Sequence, residues 1–149
     1  MDISKNVKSL RIILIFFLVV ELLFAFMSWA VIASGSMNIS FNSKQQGIFL
    51  LVLIIVCIIS YYRGNNLYNK LIKKIRTYPD ISVRLKEYRN AFVIRTFILN
   101  IIPFMIFFVS MFTGLYALLI LGIIVLLAIF KLLFPKTDKI LLSLNIIDK

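Results

Sequence analysis

Residues 12–33 form a long apolar run of 22 residues interrupted once by a charged side chain, Glu21. Wound as a helix at about 1.5 Å per residue, the run reaches about 33 Å, enough to cross the hydrocarbon core of a bilayer. Three further apolar runs follow, at 47–62, 91–112 and 115–134. Between them they account for an unusual composition: 62% hydrophobic and 15% charged over 149 residues, with mean hydropathy +1.02. Soluble domains are about 45–50% apolar and about 25% charged. A chain this short cannot hide that excess in one core. An ordinary soluble enzyme, a disordered tail and a disulfide-rich secreted module are therefore excluded. The fold class expected is an all-α membrane protein, a single integral domain over residues 1–149 built as a bundle of four transmembrane helices.

Between the second and third runs lies the one sizeable polar segment, residues 63–90. It carries Arg63, Lys70, Lys73, Lys74, Arg76, Arg84, Lys86 and Arg89 against Asp80 and Glu87. Leu67, Leu71, Ile72 and Ile75 recur at helical spacing, with lysines opposite. Pro79 disfavours helix at Tyr78, and Asp80 or Ser82 can cap a new helix. These signals predict a basic helical hairpin: a helix continuing from span two, a turn near Pro79, and a helix leading into span three. It can stand off the membrane or lie against it. Span two is short, so its helix is expected to extend past its ends. In the tail, 135–149, Pro135 stops the fourth span and Thr137 can cap a short amphipathic helix. Its apolar face, Ile140, Leu141, Leu144 and Ile147, is expected at the membrane surface.

Charge sets the orientation. The net charge is +11. The first end carries Lys5, Lys8 and Arg11; the hairpin carries eight bases; the last end carries Lys136, Lys139 and Lys149, with Lys131 near the end of the fourth span counted among them. The intervening loops carry Lys44 and nothing else. Basic residues stay on the cytoplasmic side, so both termini and the hairpin are expected there. The basic start followed by Val31-Ile32-Ala33 has the look of a signal peptide. The apolar run exceeds the usual 7–15 or so residues of such a segment, so a retained span is expected. Asn38-Ile39-Ser40 is formally a glycosylation sequon in a short loop beside the membrane, and its use is not expected.

Glu21 is the residue most suggestive of chemistry. It lies about 15 Å along the helix from Arg11, close to mid-bilayer. An acid there costs about 2.5–3.5 kcal/mol on insertion scales, so it should face other helices. It can act as a proton or cation site, or as a neutral hydrogen-bonding group or half of a buried pair that fixes packing. Asn100 and Arg95 are its candidate partners in an intramembrane polar cluster. Asn100–Glu21 is the contact expected, and Arg95 either reaches the carboxylate or snorkels to phosphates. Such contacts contribute about 0.6 kcal/mol on average, so register rather than stability is at stake. Pro103 frees a carbonyl near Leu99 and can kink span three. Trp29 reads as an outer-interface anchor.

The other chemical classes find no residues to carry them. There is no histidine, which removes imidazole-based triads and relays. Cys57 is alone and builds no disulfide or metal site. No nucleophile elbow, phosphate-binding glycine loop or carboxylate pair is present, so no catalytic site, metal or cofactor is expected. No nucleic-acid motif accompanies the charge. Lys70, Lys73, Lys74 and Arg76 are the candidate contacts to anionic headgroups or a protein partner, the alternative being that they only fix topology.

From Arg84 onward the chain resembles a family of small four-span bacterial membrane proteins with no assigned activity. The residues concerned are Leu85-Lys86-Glu87-Tyr88-Arg89, Val93-Ile94-Arg95-Thr96, Phe112-Thr113-Gly114 and Phe134-Pro135-Lys136-Thr137-Asp138-Lys139-Ile140 with Leu144. The resemblance covers under half of the chain. An acidic residue often stands in that family where this chain has Asn100. The resemblance implies the four-span architecture and a bacterial cytoplasmic membrane. The mid-span Glu21 is also similar to that of small multidrug-resistance exporters, but the long basic loop is unlike theirs. The function expected is a non-enzymatic accessory or interaction subunit, partnered by a membrane protein or by its own copies. The alternative is a small oligomeric proton- or cation-coupled transporter centred on Glu21.

Overall fold

The computed structural model describes residues 3–35 and 43–144. Five helices follow one another: α1 (Ile3–Ser34), α2 (Ser43–Ile75), α3 (Ile81–Thr113), α4 (Tyr116–Leu133) and α5 (Thr137–Ser143). Four of them, α1 to α4, are long and apolar enough to cross a membrane. The sequon and Ile147 lie outside the described residues.

The polar hairpin is not a separate module. α2 and α3 each run 33 residues, about 50 Å. Each is therefore some 20 Å longer than a hydrocarbon core of about 30 Å is thick. The chain reverses through Arg76–Asp80. Asp80 caps α3 by accepting from the Ser82 backbone N–H at 2.8 Å and the Ser82 hydroxyl at 2.6 Å. At its far end α3 stops at Gly114, whose φ of 67° is left-handed and closes the helix by donating to the Ser110 carbonyl. α3 runs unbroken through Pro103.

α3 is the centre of the molecule. α1 and α4 pack on it and on each other, and α2 lies against it with no comparable contact to α1 or α4. The assembly is thus a three-helix core with a flanking fourth helix, not a closed square of four. Two close approaches set the packing. A Cβ on Gly122 of α4 would lie 2.5 Å from the Phe107 ring, and one on Gly64 of α2 would lie 3.1 Å from Ile98. Between the spans, Leu14, Leu53, Leu99, Ile102, Ile106, Leu118 and Leu133 share one apolar cluster.

A second cluster fills the basic end. Val7 and Leu10 of α1, Ile72 and Ile75 of α2, and Leu85, Tyr88 and Phe92 of α3 meet Ile140 and Leu144. The apolar face of the C-terminal helix is thus covered by protein rather than left for lipid, with Ile140 2% and Leu144 0% exposed. Two arginines of the hairpin hold its last carbonyls. Arg76 donates through Nε to the Ser143 carbonyl at 2.7 Å, and Arg84 donates to that of Leu144 at 3.2 Å. Cations at a helix C-terminus are favoured by its dipole. The cap of α5 is Lys136, not Thr137, and it uses no side-chain hydrogen bond.

Candidate functional site

Buried polar groups inside the spans mostly look after themselves. Ser28 donates to the Phe24 carbonyl, Thr96 to Phe92, Asn100 to Thr96 and Ser110 to Phe107. Each bond stays within its own helix, which is how such residues enter an apolar span cheaply. Glu21 is different. It is 5% exposed, and one carboxylate oxygen is buried with no hydrogen-bond partner among the described residues.

Ring contacts fix its height. Phe17 meets Phe97, and Phe24 stacks on Phe104 at 4.5 Å between centroids. Both pairs have the same offset, so Glu21 lies level with Ile101. The two helices form a cavity of about 310 Å³ there, lined by Phe17, Val20 and Glu21 of α1 and Phe97, Asn100, Ile101 and Phe104 of α3. Val20, Phe97 and Phe104 are also exposed on the bundle's flank, so the cavity opens sideways rather than towards a helix end. Glu21 and Asn100 are thus brought together in one cavity, but no hydrogen bond joins them: the Asn100 amide nitrogen donates to the Thr96 carbonyl at 2.8 Å.

Arg95 belongs elsewhere. It donates to the Asn65 side-chain oxygen at 2.8 Å, and its guanidinium lies 4.5 Å from the centre of the Tyr68 ring. It lines a different cavity, of about 200 Å³, with Tyr68, Tyr88, Phe134, Lys136 and Lys139. Its Nε is buried without an acceptor among the described residues. The Tyr68 hydroxyl donates to that of Tyr88 at 3.2 Å.

Three cations mark one level of the bundle. Arg63 precedes Gly64, which abuts Ile98 and Leu99. Lys131 stands nine residues beyond Gly122, which abuts Ile106 and Phe107, and so falls level with Phe97–Ile98. Together with Arg95 these lie within about 6 Å along the axis. Glu21 is six residues from the level of Arg95, about 9 Å, and only one or two from that of Arg63, closer than the distance from Arg11 suggested. Thr113 is 18 residues from Arg95, about 27 Å, close to the thickness of a hydrocarbon core.

Of the hairpin bases, Lys70, Lys73 and Lys74 are exposed. Arg76 is exposed too, but bonded to α5. Tyr68, Tyr88, Lys136 and Lys139, which join Arg95 around its cavity, were not singled out as site residues. The signal available was the three-residue spacing of Lys136 and Lys139 beside the end of the fourth span. Among the described residues no group of three His, Cys, Asp or Glu could hold a metal. Comparison with family models, curated proteins and solved structures finds no match to this chain.

Proposed function

We propose that this chain is a non-enzymatic interaction subunit of a bacterial cytoplasmic membrane, and that it receives an apolar helix of another membrane protein on the flank of α1 and α3. One observation supports this reading above the others: a buried carboxylate oxygen of Glu21 without a partner, in a cavity that opens sideways. The hydrocarbon core holds no water to satisfy such a group. An acyl chain filling the cavity leaves it unsatisfied, whereas a helix carrying a hydroxyl, amide or amine supplies the missing donor. The exposed Phe97 and Phe104 provide the apolar rim such a helix packs against.

A photocrosslinking residue at Phe97 tests the proposal in native membranes. A defined polypeptide adduct is expected with the native Glu21 and with Glu21→Gln, which keeps the hydrogen bond, and its loss is expected with Glu21→Leu. Adducts to lipid alone in all three would overturn it. The acid-lined cavity also favours a second reading, a small oligomeric carrier for protons or cations. That reading requires gradient-driven flux in liposomes that Glu21→Gln abolishes.

A further inference from the structure

We infer that the cavity around Arg95 is a binding site for a phosphate group at headgroup level, separate from the groove at Glu21 and independent of the reading given for it. Its lining brings together cations from three places in the chain: Arg95 of α3, Lys136 of the link between α4 and α5, and Lys139 of α5. No acid lines it. Arg11 adds a fourth positive charge beside it, 5.2 Å above the ring of Phe134, itself a lining residue. Like charges converging on one hollow repel one another unless an anion sits among them.

The Arg95 side chain is set in place before any ligand arrives. Asn65 takes one of its N–H groups and Tyr68 stacks on its face. Its remaining donors include the buried Nε–H, which has no acceptor. A fixed guanidinium with free donors is the side chain best matched to the oxygens of a phosphate. Tyr88, 6% exposed, and its hydroxyl contact with Tyr68 give the same hollow a polar wall. At about 200 Å³, against about 30 Å³ for a water in the liquid, the hollow has room for a phosphate group. Its level coincides with the ring of Arg63 and Lys131, where an apolar bundle meets headgroups. Two sources offer this chemistry there: the phosphate of an anionic lipid and a free phosphate from the aqueous side. The site differs from the exposed bases Lys70, Lys73 and Lys74, which line no part of it.

The test uses the full chain in detergent micelles, with bound lipid read by native mass spectrometry. Mixed micelles of phosphatidylglycerol and phosphatidylcholine form one arm, and inorganic phosphate at millimolar concentration forms the other. Preferential retention of phosphatidylglycerol is expected. Lys136→Gln with Lys139→Gln, both exposed positions, should weaken it about 30-fold, from two bases near the surface. Neutralising Lys70, Lys73 and Lys74 should leave it within about twofold, since none lines the site. Arg95→Lys, which keeps the charge and loses the fork, should weaken it as well. If inorganic phosphate instead raises the thermal midpoint of the native chain and fails to protect the double variant, the site holds and its source is the free anion. Retention indifferent to Lys136, Lys139 and Arg95 in both arms, or governed by the hairpin lysines, would overturn the inference.

Discussion

Asp80 shows how a single side chain starts a helix of 33 residues. The bonds from the Ser82 hydroxyl and backbone N–H hold its carboxyl below the ordinary value of 3.8. A depressed carboxylate adds stability that is complete above the unfolded value and is lost as pH falls through the folded one. The Ser82 amide resonance should therefore titrate with a midpoint below 3.8, and in Asp80→Ala that step should vanish and the first turn of α3 should exchange faster. A midpoint at or above 3.8 contradicts the cap. The cap residue was legible because Pro79 and Asp80 are local signals, read within a few positions. The partners of Glu21 and Arg95 were not. The Arg95 bond to Asn65 depends on how α2 slides against α3, and one helical turn of slip would select different neighbours. Glu21 stood out by its charge alone, but whether a donor faced it was a property of the packed bundle.

Among the elements, α4 and α3 come close together where Gly122 meets the Phe107 ring, and that contact was invisible in the sequence. No second small residue stands four positions away to announce it, as the usual close-packing motif requires. Gly122→Leu should push the two helices apart and cost about 1–3 kcal/mol, typical of an overfilled interior. Gly47→Ala, where a Cβ meets nothing within 4 Å, should be neutral or stabilising by up to about 1 kcal/mol. Thermal denaturation in detergent measures both, and equal midpoints would show that the α3–α4 approach is looser than described. The long helices themselves were legible, because apolar runs with flanking charge need no tertiary information. What covers α5 was not legible. Its amphipathic face was plain, but periodicity says only that a face will be covered, not whether lipid or protein covers it.

For the molecule as a whole, the arrangement of α1 to α4 is an asymmetric one, with α2 held by α3 while α1 and α4 close the other side. Four spans were countable from the sequence; which span sits in the middle was not, although α3 carries Thr96, Asn100 and Ser110, the polar residues a central helix tolerates. The distribution of bases predicts that the hairpin and the α1–α2 connection lie on opposite sides of the membrane. In a Cys57→Ser background, Lys44→Cys and Lys73→Cys should label from opposite faces of sealed vesicles. Labelling of both from one face is incompatible with a crossing by α2, and so with four crossings.

The cluster at the basic end has a further consequence, for the timing of assembly. Ile140 and Leu144 leave the ribosome more than a hundred residues after Val7 and Leu10, which they help to cover. Until they do, α2 and α3 shelter only part of that greasy spot, and the clasp formed by Arg76 and Arg84 has nothing to hold.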